Sequence, residues 1–184
     1  MKLHRLVIII LWIALPLFLL LLSYQVILFI VPLTPEQELT MSFLREGEQL
    51  QMNYTAQEIS HLEDVQKVMD YTNYFFYIVT LLIFSLLIKH YKHKEEVKVV
   101  LKQGGIATMA AMAFILIVSL LFFNEMFTLF HLLFFPQGNW IFAADSLLIQ
   151  TFPVTFFIRI SIGIFILTFG EGALLLGMAL RWKK

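Results

Sequence analysis

Two histidines stand in settings that could make them reactive. His61 lies in the run TAQEISHLED that ends at Asp64, and His131 in FTLFHLLFF, residues 127–135. On a helix, Asp64 falls one turn beyond His61, close enough to orient an imidazole or raise its basicity. His131 is surrounded by aromatic residues beside a membrane-length apolar segment, a costly place for a titratable group without a partner or a task. The ordinary counterparts are a solvated histidine in an acidic loop and an interfacial histidine bonded to a loop carbonyl. Asn139, Trp140 and Asp145 follow His131 within one polar, aromatic-rich stretch, Phe130 to Pro153. Trp140 also suits an interfacial aromatic belt, and Asp145 suits the cap of a short helix starting at Ser146. There is no HExxH zinc spacing, no GxSxG elbow and no glycine-rich phosphate loop. The chain has no cysteine, which excludes a thiol nucleophile, a Cys-ligated metal and a disulfide. If the chain is an enzyme, the residues point to proton transfer by two imidazoles without a recognisable covalent nucleophile.

The elements that must position these residues are membrane spans. Of 184 residues, 60% are hydrophobic and 19 are Phe. Mean hydropathy is +0.83. Charged residues make up 14%, against about a quarter in soluble domains. So much apolar surface implies an all-α membrane protein, with four transmembrane helices and a small extracytoplasmic cap. The spans are expected over about 6–31, 74–88, 105–123 and 154–180, with the cap built from 32–73 and 124–153 in a single membrane domain. The first span resembles a signal peptide in its basic start (Lys2, His4, Arg5), but it is too long and lacks a small-x-small cleavage site, so an uncleaved anchor is expected. Pro16 is a candidate kink. Net charge is zero and no basic, aromatic-laced cluster points to nucleic acid.

Ten of the 13 Lys and Arg are Lys2, Arg5, Lys89, Lys92, Lys94, Lys98, Lys102, Arg181, Lys183 and Lys184. They fall together on one side if the N-terminus is cytoplasmic. The positive-inside bias then puts both termini in the cytoplasm and both polar excursions outside, in the cell membrane. The first excursion is acidic, with Glu36, Glu38, Glu46, Glu48, Glu58, Glu63, Asp64 and Asp70 against Arg45 and Lys67. In it, Leu39, Met41 and Phe43 alternate with polar residues, as do Leu50 and Met52, around a turn-like Arg-Glu-Gly-Glu, so a hairpin is expected. Thr55 to Glu58 reads as a capping box, and Ile59, Leu62, Val65 and Met69 give the helix it opens an apolar face. That helix can run straight into the second span.

Arg159 and Glu171 lie inside the fourth span and must face the bundle or a polar cavity. Arg159, near the outer end, suits a lipid headgroup or an anchor for the loop. His90 and His93, in the basic loop, suit contact with anionic lipid.

At the two histidines the chain resembles the lipoprotein intramolecular transacylase family of Gram-positive bacteria, small four-helix integral membrane proteins. The resemblance is carried by His61-Leu-Glu-Asp-Val65, then Phe130-His131, Trp140-Ile-Phe142 and Phe152-Pro153, with Phe156-Phe157 leading into the last span. It implies transfer of an acyl chain from the sn-2 glycerol ester of a diacylglyceryl lipoprotein to the α-amino group of its own N-terminal Cys, giving the lyso form. It also implies that His61 and His131 are catalytic, and that no metal or cofactor is needed. The substrate side would fall to Asp64, Asn139, Trp140, Asp145 and Arg159, with membrane lipid as surroundings. His61 then suits the base and His131 the oxyanion or leaving-group partner, or the reverse. Trp140 N–H and Asn139 are further oxyanion donors. Two other readings share the topology. One is a non-enzymatic subunit that binds a membrane partner through its acidic cap. The other is a metalloenzyme using His61, His131 and Asp64 or Asp145.

Overall fold

The computed structural model describes residues 2–182, with the side chains of residues 6–182. Lys183 and Lys184, and the side chains of Lys2 and Arg5, lie outside the described residues, so their part in the charge bias is read from sequence alone. Among the described residues, seven helices follow in order: α1 Lys2–Ile30, α2 Pro35–Glu46, α3 Ala56–His90, α4 Lys94–Leu121, α5 Phe123–Phe134, α6 Leu147–Thr151 and α7 Val154–Arg181. Four of these, α1, α3, α4 and α7, are long and apolar enough to cross a membrane. The protein is an all-α, multi-pass membrane protein.

The bundle is centred on α4 and α7, which make the most extensive helix pair, and α1 packs against both. A Cβ on Gly105 would lie 2.6 Å from the Gly172 carbonyl oxygen and 2.9 Å from the Leu176 nitrogen. Only glycine permits that backbone approach, as small residues do where helices pack in lipid. Leu11, Leu15 and Leu19 of α1 meet Val79 and Ile83 of α3 in the bundle core. Between α1 and α7, the fully buried Ser23 hydroxyl donates to Glu171 Oε2 at 3.0 Å. That contact gives the intramembrane carboxylate a partner.

At 35 residues, α3 is roughly 52 Å long, well beyond a hydrocarbon core of about 30 Å. Its first turns, with Glu58, Glu63, Asp64, Lys67 and Asp70, therefore stand outside the span. They form one wall of a second core. There Leu62 packs with Met41 and Leu44 of α2, with Tyr54, and with Leu148, Phe152 and Phe156.

The expected hairpin over 39–52 is replaced by α2, and no strand occurs among the described residues. Thr34 and Gln37 form a reciprocal capping box with Pro35 at the first helical position. The buried set Gln37, Thr40, Met41 and Leu44 follows helical spacing. The presumed turn is instead a helix stop, where Gly47 takes the left-handed conformation (φ 70°) and its N–H bonds the Phe43 carbonyl. The third apolar run also divides. Phe122, at φ −132° and ψ 43°, separates α4 from α5. His90 is buried rather than lipid-facing, with its Nδ1 3.4 Å from Glu96 Oε2.

Candidate active site

His61 sits on the second turn of α3, a helix started by reciprocal hydrogen bonds between Thr55 and Glu58. The residue is only 8% exposed, with Phe135 edge-on to its ring at 4.7 Å and Phe142 at 5.5 Å. His131 approaches from α5, and the two imidazole centroids lie 6.4 Å apart at an interplanar angle of 25°. The two histidines, 70 positions apart in the chain, thus share one aromatic pocket.

The state of each ring follows from its surroundings. His131 Nδ1 lies 2.7 Å from the Phe127 carbonyl oxygen. A carbonyl only accepts, so Nδ1 carries the proton and the lone pair is on Nε2, the tautomer that can act as a base. Burial lowers the His131 pKa below its ordinary value, and the Phe127 bond opposes that only in part. His61 is pushed further, to about 4, by burial first and by the neighbouring His131, against the opposing pull of Asp64 and Asn139. Both rings are neutral at pH 7.

A titration tests this directly. In ring-labelled protein, NMR is expected to show His131 titrating below 6.5 and His61 near 4, and a midpoint at or above 6.5 for either would contradict neutral rings. The sign of the linked stability follows. Between the folded and unfolded values the unfolded chain binds more protons, so these rings cost stability as pH falls from about 6.5 towards 4, and contribute no pH dependence above it.

Asp64 does not bond to His61. Its Oδ1 accepts from Lys67 Nζ at 3.0 Å, and its Oδ2 accepts from Asn139 Nδ2 at 2.8 Å and from Gln137 Nε2. Burial would raise the Asp64 carboxyl, but the donors Asn139, Lys67 and Gln137 together hold it below its ordinary value. Ser60 Oγ takes a second bond from Asn139 at 3.2 Å, and Gln57 donates to the Ile141 carbonyl at 3.1 Å. The first turns of α3 therefore clasp the loop after α5 and bring Trp140 onto His131, ring to ring at 4.7 Å.

Glu58, read from sequence only as a cap, does more. It is 1% exposed, and besides the Thr55 N–H and hydroxyl it accepts the Leu148 N–H at 2.8 Å. Burial pushes its carboxyl up, yet the donors from Leu148, Thr55 and Leu147 outweigh it and keep the pKa below the usual value. One carboxylate thus joins the starts of α3 and α6. The cap of α6 itself is Ser146, whose hydroxyl accepts the Ile149 N–H, and not Asp145. Asp145 contributes its backbone carbonyl to Gln150. Arg159 is also apart from the ring pair. It donates to the Pro32 carbonyl at 3.1 Å and lies over the Phe156 ring, so it anchors the chain just after α1.

Three buried polar atoms here make no well-formed hydrogen bond within the protein: Trp140 Nε1, and His61 Nδ1 and Asn139 Oδ1, although Asn139 lies near enough to His61 to pull on its pKa. Orphaned buried groups are costly and gather where a ligand completes them. Together with His131 Nε2 they bring a base, N–H donors and an acceptor into one aromatic cluster. Among the described residues no three His, Asp or Glu side chains are grouped to hold a metal ion. Gln57, Ser60 and Gln137 carried no individual signal in the sequence. The only hint was that Gln137 and Asn139 flank Gly138, a glycine with φ 77° in a turn.

Residues 33–157 match the family model described as lipoprotein intramolecular transacylase Lit. No curated protein matches the sequence. Among solved structures, the chain is similar to the membrane-integral lipoprotein intramolecular transacylase Lit from Bacillus cereus, with TM-score 0.81 and 18% identity over 96% of this chain and 94% of that one. A variant of the same protein with a histidine replaced by arginine aligns with TM-score 0.80 and 16% identity, over 97% and 91% of the two chains. At such identities these structures establish a shared fold.

Proposed function

The chain belongs to the lipoprotein intramolecular transacylase family, and from that premise we propose that its ring pair moves an acyl chain within one lipoprotein molecule, from the sn-2 glycerol ester to the α-amine of the N-terminal Cys. The observation that carries this reading is the pairing of two neutral rings, His61 and a tautomer-fixed His131, in one aromatic cluster beside the buried, unbonded N–H of Trp140. The charge bias of the sequence supports a site on the outer face with both termini cytoplasmic.

Donor and acceptor belong to one molecule, so the reaction is unimolecular from the start, and the pocket's main contribution is to fold the headgroup until amine and ester carbonyl meet. An α-amine has a pKa near 8, leaving roughly a tenth neutral at pH 7. An apolar pocket favours that neutral form. The amine nitrogen attacks the ester carbonyl while an N–H points to Asn139 Oδ1. His131 Nε2 takes the proton released from nitrogen. Trp140 N–H and a neutral His61 N–H donate to the tetrahedral oxyanion. The His131 imidazolium then returns its proton to the departing glycerol oxygen, the ester C–O bond breaks and the amide remains. Atoms and protons balance with no group added. The deeper lowering of the His61 pKa supports His131 as the base, because a ring held near 4 is a poor base and a dependable neutral donor.

Mass spectrometry of lipoprotein N-terminal peptides tests the reading, in a host lacking other N-acylating enzymes, with and without this protein. An N-acyl, mono-O-acyl Cys at unchanged total acyl mass is the expected product. Added acyl mass would mean a separate lipid donor, and unchanged peptides in a well-expressed sample would overturn the proposal.

A further inference from the structure

The helix that carries His131 is unlike a helix in water. None of the residues of α5 is fully buried. One stripe, Phe123, Phe127 and His131 at four-residue spacing, is partly covered by the site. The opposite side bears Leu129, Leu132 and Leu133, which are 59%, 56% and 70% exposed. A cap helix in solvent would place polar residues there.

The chain leading to it explains where that side belongs. The apolar part of α4, residues 105–121, rises roughly 25 Å, close to the hydrocarbon thickness. Its last turns expose the apolar side chains of Ile117, Leu120 and Leu121, as a lipid-facing surface does. Phe122 then breaks the helix at the level where a span must end. Asn124 and Glu125 occupy that corner, both exposed. Beyond it the exposed leucines of α5 follow directly on the exposed apolar end of α4 in the chain.

We propose that α5 is an interfacial helix whose outward face lies among the acyl chains of the cap-side leaflet, so that the bilayer itself holds His131 at the depth of glycerol esters. An interfacial helix sits about 5–10 Å into the boundary between headgroups and chains. The substrate ester then meets the base without leaving its own depth in the membrane. The link to the ester rests on the acyl-transfer reading, whereas the depth of α5 does not.

The absence of cysteine makes the test direct, since Leu133→Cys creates a unique site for a nitroxide label. The labelled protein is reconstituted in phosphatidylcholine–phosphatidylglycerol vesicles, and spin relaxation by oxygen and by a water-soluble nickel chelate is compared. Leu120→Cys serves as the lipid reference and Glu48→Cys as the water reference. The expected result is that the label at 133 behaves as at 120, with oxygen collisions several-fold in excess of nickel. Behaviour like that at 48 would overturn the proposal, whatever the protein's activity. For the link to the ester, the double variant Leu129→Lys, Leu133→Lys is expected to lose more than tenfold in turnover of substrate in vesicles and less than twofold in detergent micelles. Equal losses in both would overturn that link.

Discussion

His131→Ala is expected to lower turnover about a thousandfold while leaving an inserted, folded bundle. The substitution removes the only ring in the pocket whose tautomer is fixed by a backbone carbonyl, through its 2.7 Å bond from Nδ1 to Phe127. In the proposed mechanism it takes away the acceptor for the amine proton and the donor to the leaving oxygen in one step. The fold has less at stake, because His131 is only partly buried and its backbone N–H and carbonyl stay in α5. Peptide mass spectrometry gives the rate, and thermal unfolding in detergent gives the integrity of the bundle. Added imidazole is expected to restore part of the activity by entering the space the ring leaves. Near-full activity in a folded His131→Ala protein would remove this residue from the mechanism.

The second large effect is expected from Trp140→Phe. Phenylalanine keeps an aromatic face against His131 and preserves the apolar wall, but it lacks the indole N–H. That N–H is buried without a partner in the free protein. If it donates to the oxyanion, its removal lowers kcat by about a hundredfold to a thousandfold with KM little changed. A rise in KM at constant kcat would instead assign the N–H to ground-state binding of the ester carbonyl. Steady-state kinetics on vesicle-borne lipoprotein separates the two.

These expectations combine what was legible in the sequence with what only the packing shows. The four apolar runs and the start of α3 could be read because each signal is local: length for the spans, a reciprocal pair of side chains for the cap at Thr55. The segment after α1 was harder. Leu39, Met41 and Phe43 alternate as in a strand over five residues, while Gln37, Thr40, Met41 and Leu44 mark a helical face over eight. The helix wins because Thr34-Pro35 starts it and Gly47 stops it. The ring pair was legible as two separate oddities. Their meeting depends on the break at Phe122, which contains neither Gly nor Pro and so leaves no local trace. Asp64 shows the limit most clearly. Spacing on α3 placed it one turn from His61, but its carboxylate is taken by Asn139, Gln137 and Lys67, two of which lie on a distant loop.

The shared carboxylate of Glu58 has a consequence for how the outer half of the protein opens. The N-termini of α3 and α6 lie about 90 positions apart, yet each has backbone N–H groups satisfied by the same side chain. Fraying of either helix start would strand a buried anion, so neither can loosen alone at low cost. The pocket walls hung between them open together or stay shut. In exchange terms, the amides of residues 55–62 and 146–151 are expected to open as one cooperative unit, with one opening free energy in place of the graded fraying of independent helix ends.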